Sequence, residues 1–171
     1  NIPAYTIKNI PQSLYYFSSL AGLVMDDSHN RAFAIDTHRL LEIDLETNFL
    51  KIVSDINTPD SVDWGTPKEL ALDTINNRVL VASTAHSKNK GAILSIDINT
   101  GQRSYLSSKT IPNESLPLTL NYHLAMIPGK NQLLVSDAYN QSIVSINTDN
   151  GARSALSDNS LPDKSSDTQF N

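Results

Sequence analysis

Residues 93–112 read ILSIDINTGQRSYLSSKTIP. The same grammar stands at 40–59, LLEIDLETNFLKIVSDINTP, and at 143–162, IVSINTDNGARSALSDNSLP, and the three blocks align without a gap. An eleven-residue block precedes each one: DDSHNRAFAID at 26–36, DTINNRVLVAS at 73–83 and IPGKNQLLVSD at 127–137. Spacers of 3, 9 and 5 residues separate the paired blocks, and Pro59, Pro112 and Pro162 set a period of 53 and then 50 residues. A repeat of this length is one supersecondary unit copied along the chain, so it governs the fold.

Each unit reads as strands and turns. In the middle unit Leu70 and Leu72, then Val79 and Val81, alternate with other residues at period two. Asn76-Asn77 separates these two runs and tolerates the positive φ of a tight hairpin. The next apolar run, Ile93 to Ile98, ends in Asn99-Thr100-Gly101, where Gly takes the left-handed position of a short turn. Gly151 holds that place in the third unit and Asn48 in the first. Ser104-Tyr105-Leu106 is a fourth run, and no window carries a helical period with caps. The expectation is four antiparallel strands, a to d, at about 69–73, 78–83, 92–98 and 102–107 in the middle unit.

Four-stranded units of about 40–50 residues are the blades of a β-propeller, each burying its faces against its neighbours. The fold class is therefore all-β, with about three consecutive blades. A β-sandwich of about twelve strands competes, but its strands need not resemble one another at a fixed period. The chain of 171 residues divides into an outer strand at 1–10, blades at 11–58, 59–111 and 112–162, and a linker toward a next blade at 163–171. Natural propellers have about four to eight blades, so three form an incomplete ring. The chain opens on Asn rather than Met, and its first residues stand in the register of an outer strand, because Pro11 matches Pro59. The expectation is about half of a propeller of six or seven blades. The expected partners are the remainder of the ring, or a second copy of the chain that completes it.

Composition narrows the chemistry. The chain has no cysteine, which excludes disulfides, a thiolate zinc site and a thiol nucleophile. Its 18 Asp and Glu against 13 Lys and Arg give a net charge of −5, which argues against nucleic acid as a partner. No apolar run reaches the roughly 20 residues of a membrane span. A G-x-S-x-G elbow, a phosphate loop, an H-E-x-x-H pair and an Asp-rich calcium loop are all missing from the sequence. Asn113-Glu114-Ser115 and Asn140-Gln141-Ser142 fit the glycosylation pattern, which has meaning only in a secretory setting.

At ALDTINNRVLVAS, GAILSIDINTGQR and LLVSDAYNQSIVSINTDNGAR, the chain resembles the superfamily of NHL-repeat, gluconolactonase-like and strictosidine-synthase-like propellers. The resemblance extends from about Leu20 onward and implies a six-bladed scaffold. Its members include binding propellers and calcium-dependent lactonases or hydrolases. The lactonase-type metal site uses a Glu, an Asn and an Asp from different blades. Asp137 in VSDAYN is placed like a residue of that site, and no Glu of this chain matches.

In propeller geometry the a–b and c–d hairpins share one rim, and the b–c loops and d–a linkers share the other. The first group repeats faithfully here and the second varies, and function in a regular scaffold sits on its variable loops. The ligand-binding candidates on the varied rim are Asp36, His38, His86, Asp137, Tyr139 and Asn140, with Trp64, Tyr122 and His123 from the linkers. Each also has a structural role to weigh. An Asp ending strand b bonds its own loop amides. Trp64 plugs the space between blades. His38 and His86, in corresponding loops of adjacent blades, form a metal site only with a third ligand. Arg103 and Arg153 share a register on the outermost strand, which reads as solvated or paired with the neighbouring strand.

Two functions are carried forward. The first is a non-catalytic binding or scaffolding propeller, extracellular or periplasmic, that takes a protein, peptide or glycan on the varied rim and needs no cofactor. The second is a metal-dependent lactonase or hydrolase using calcium or another divalent cation, with part of its site on missing blades.

Overall fold

The computed structural model describes residues 17, 19–59, 61–84, 91–112, 116, 118, 121–138 and 140–157. They form three four-stranded antiparallel sheets and the turns and loops that join them. Blade 1 comprises β1 (Gly22–Asp26), β2 (Arg31–Ile35), β3 (Arg39–Asp44) and β4 (Leu50–Asp55). Blade 2 comprises β5 (Thr66–Asp73), β6 (Arg78–Thr84), β7 (Gly91–Asp97) and β8 (Arg103–Ser108). Blade 3 comprises β9 (Asn121–Met126), β10 (Gln132–Asp137), β11 (Ser142–Asn147) and β12 (Arg153–Ser157). Each sheet is a meander in chain order, and β5 lies beside both β1 and β9, so the first strands of the blades line the inner side. The only helical turn among the described residues is the short 3-10 piece Asp27–His29. The expected outer strand at 1–10 and the linker at 163–171 lie outside the described residues.

The middle blade shows why the repeat is needed. On β6, Val79 and Val81 face blade 1, while Leu80 and Ala82, one residue out of phase, face blade 3, and all four are fully buried. The first interface packs Phe33, Ile35 and Leu40 of blade 1 against Leu70, Val79, Val81, Leu94 and Ile96. The second packs Leu80, Ile93 and Leu106 against Leu133, Val135, Val144 and Ile146 of blade 3. A strand with apolar residues on both faces is stable only between two neighbours.

The a–b and c–d turns form a regular rim. Asp44, Asp97 and Asn147 each accept, through Oδ1, the amide hydrogens two and three residues on. The two turns of each blade are then tied together by one amide: Leu45 to the Asn30 carbonyl, Ile98 to Asn77, and Thr148 to Asn131. Asn48, Gly101 and Gly151 all have positive φ at the c–d turn, the backbone reason for Asn or Gly there.

Candidate functional site

The opposite rim shows no such repetition. In blade 1 the b–c connection is Asp36, Thr37 and His38. Asp36 is fully buried; its Oδ1 accepts the amides of His38 and Arg39 at 2.9 Å, and its Oδ2 accepts the Arg39 guanidinium. Burial pushes the Asp36 carboxyl upward, but the Arg39 and backbone hydrogen bonds outweigh it and hold it below the usual carboxylate range. In blade 3, Asp137 is 1% exposed and accepts the Asn140 amide on Oδ1 and the Asn140 side-chain nitrogen on Oδ2, both at 3.1 Å. Both carboxylates thus close their own loops. Blade 2 stands between these two groups.

Trp64 is 3% exposed and belongs to the core between blades 1 and 2, so it is the apolar plug rather than a ligand platform. Ser83 donates to its carbonyl at 2.5 Å, tying the linker to β6. His123 is exposed on the inner strand β9, with Nδ1 3.8 Å from Glu69 Oε2 on β5. This contact joins the inner strands of blades 2 and 3, and Glu69 was missed in the sequence because no spacing marks it. His86 and Tyr139 lie outside the described residues, as does the side chain of Tyr122. Among the described residues, no three His, Asp or Glu side chains come together.

A cleft of about 270 Å³ opens on this rim between blades 1 and 2, lined by Ser19, Leu20, Ala21, Thr37, Thr66, Pro67 and Lys68. Thr37 comes from the varied b–c loop, Leu20 and Ala21 precede β1, and Thr66, Pro67 and Lys68 open β5.

Of the two readings of Arg103, solvated or paired with the neighbouring strand, the structure shows the second. Arg103 is 5% exposed, not solvated. From the start of β8 it reaches back to blade 1, donating to Ser54 Oγ at 2.7 Å, to the Asp55 carbonyl at 2.6 Å and to the Val62 carbonyl at 3.0 Å. Its guanidinium carbon lies 4.4 Å from the Trp64 ring centroid. Burial lowers the Arg103 pKa, with Asp55 and Asp63 opposing, and a guanidinium keeps its charge throughout. Arg153 repeats the contact on blade 2, donating to Ser107 Oγ at 2.8 Å and to the Ser108 and Ile111 carbonyls at 2.6 Å. The glycines two residues earlier complete the device. A Cβ on Gly101 would fall on the Val53 carbonyl oxygen, and one on Gly151 on the Leu106 carbonyl oxygen. The repeat of G-x-R at 101–103 and 151–153 was the available signal.

No family model matches the chain, and neither does any curated protein. Solved structures do match. A chain of a nidogen/laminin complex superposes with a TM-score of 0.64 at 16% identity, over 83% of this chain and 49% of that one. An auxiliary nutrient binding protein from Bacteroides thetaiotaomicron superposes with a TM-score of 0.60 at 11% identity, over 83% of this chain and 31% of its own. The WD40 repeats of RRP9 give a TM-score of 0.59 at 14% identity, over 80% and 37%. This chain therefore spans about half the length of the first of these structures and about a third of the other two. At these identities the likeness is one of fold: three consecutive blades of an incomplete β-propeller.

Proposed function

We propose that the chain is part of a non-catalytic binding or scaffolding propeller, extracellular or periplasmic, that takes a protein, peptide or glycan on the rim of b–c loops and d–a linkers. The observation that carries this reading is the contrast between the rims. One is closed by the same turn bonds in every blade. The other carries loops that differ in length and chemistry from blade to blade, among them Thr37 and Lys68 beside a cleft of about 270 Å³; the clefts of about 450 and 390 Å³ beside the regular turns are lined by the repeated scaffold residues themselves, Gln132 and Arg153 in one and Arg78 and Arg103 in the other. A regular scaffold with one variable edge is the arrangement binding proteins use to change specificity without changing fold. A nutrient binding protein and a chain of a laminin complex among the superposable structures support the class of function, not the ligand.

The reading needs no cofactor, and the carboxylates of Asp36 and Asp137 are engaged in their own loops. Its test is retention on glycan and peptide arrays by the chain and by two variants. His38→Ala with Lys68→Ala should lose at least tenfold in binding, while Asn99→Ala on the regular rim should bind as the parent does. Equal binding by both variants overturns the rim assignment. A rise in melting temperature with calcium, reversed by a chelator, would favour the metal-dependent alternative instead.

A further inference from the structure

The contacts of Arg103 and Arg153 are two copies of one latch, with a donor half and an acceptor half. The donor half is the c–d turn of the following blade: a positive-φ glycine that admits a neighbouring carbonyl, then Arg two residues on. The acceptor half is a β-bulge on the outer strand of the preceding blade. In blade 1 the register skips between Leu40 and Leu41, opposite Ser54; in blade 2 it skips between Ile93 and Ile93's successor Leu94, opposite Ser107. The bulge adds a residue, Val53 or Leu106, whose carbonyl lies over the glycine, and Ser54 or Ser107 then receives the guanidinium.

Blade 3 has the acceptor half as well. Its register skips between Ile143 and Val144, with Ser157 opposite Ile143, in the same relation as Ser54 to Leu40 and Ser107 to Ile93. Next to it lies an uncovered apolar face. Ile143 and Leu156 are 42% and 54% exposed, whereas their equivalents Ile93 and Leu106, covered by blade 3, are 0% and 7% exposed. Blade 1 lacks the donor half. Its c–d turn holds Asn48, also at positive φ but bearing a Cβ, and Leu50 stands where blades 2 and 3 carry Arg.

We infer that the outer face of blade 3 is the docking surface for a propeller blade whose c–d turn carries Gly-x-Arg, and not for blade 1 of a second copy of this chain. The occupant's guanidinium bonds at the Ser157 bulge, and its apolar sheet face covers Ile143 and Leu156. A second copy arranged head to tail presents Asn48 and Leu50 instead. The Asn48 Cβ meets the bulge carbonyl, and no guanidinium reaches the serine.

The test is sedimentation equilibrium on the full chain. Installing the donor half on blade 1, Asn48→Gly with Leu50→Arg, is expected to tighten self-association at least tenfold over the parent, and adding Ser157→Val should return it to the parent level. Leu50→Arg alone is the fallback if circular dichroism shows the double variant unfolded, and it should still tighten association at least threefold. The parent and its Ser157→Val variant should associate equally. The inference is overturned if the folded donor-bearing variant associates no more tightly than the parent, or if Ser157→Val weakens association of the parent.

Discussion

At the interface of blades 1 and 2, Arg103 is almost wholly buried beneath the Trp64 ring; at that of blades 2 and 3, Arg153 makes equivalent hydrogen bonds while half-buried, and Leu118 supplies the plug. The acceptors match in kind: a bulge serine and main-chain carbonyls. What differs is the linker. The d–a linker of blade 1 lays Ser61, Val62 and Trp64 over its arginine, with Ser61 Oγ accepting the Arg103 amide and Val62 donating to the Arg103 carbonyl. The contact of arginine with bulge is therefore set by the repeated part of the unit, while its depth is set by the variable part.

The largest effect should come from filling the glycine of either latch. Gly101→Ala combines left-handed strain of about 1–2 kcal/mol with overpacking of about 1–3 kcal/mol against main chain that cannot rotate away. Urea unfolding should show a loss of about 2–5 kcal/mol, and Gly151→Ala a similar one. A loss below about 1 kcal/mol at either position would mean that the blades separate there at little cost. The arginines should divide the two interfaces. Arg103→Ala is expected to cost about 2–3 kcal/mol, since charge-assisted hydrogen bonds and the aromatic contact go together. Arg153→Ala should cost about 1–2 kcal/mol, without the aromatic share. Equal losses would remove Trp64 from the account.

The smallest effect belongs to the regular rim. Asp26 is buried, which pushes its carboxyl upward, but hydrogen bonds from Ser28, His29 and Arg31 prevail and hold it at about 2. Because the folded pKa lies below the unfolded value, the stabilisation is present above about pH 4 and is lost as pH falls from 4 to 2. Asp26→Asn should reduce stability at pH 7 by about 1 kcal/mol and flatten the pH profile below 4. An unchanged acid limb would show that other carboxylates dominate it. Blade 3 carries Ile127 in the corresponding place and gives no such contribution from that turn.

Much of the architecture is legible residue by residue. Val79 and Val81 alternating with Leu80 and Ala82 mark a strand buried on both faces, and Asn48, Gly101 and Gly151 mark the turns, because period and φ tolerance are local properties. The roles of Asp36 and Asp137 as loop closers follow from their place at strand ends. Arg103 was not legible in this way. An arginine at the start of an outermost strand reads equally as solvated or as paired with a neighbouring strand until the bulge of another blade, 49 positions away at Ser54, is brought against it. The bulges themselves leave no mark in composition.

The unit, its period, its strands and its turns are all written in the order of residues along the chain. These depend on interactions within about fifty residues, which the repeat displays three times over. How the units are joined emerges only when the blades are packed together. The tertiary structure set Trp64 under Arg103, placed a carbonyl of the previous blade against Gly101 as a second reason for that glycine, and repeated the outer-strand bulge in blade 3 beside exposed Ile143 and Leu156. Contacts between blades depend on the relative placement of distant main chain, and no residue type reports that placement from its own position in the chain.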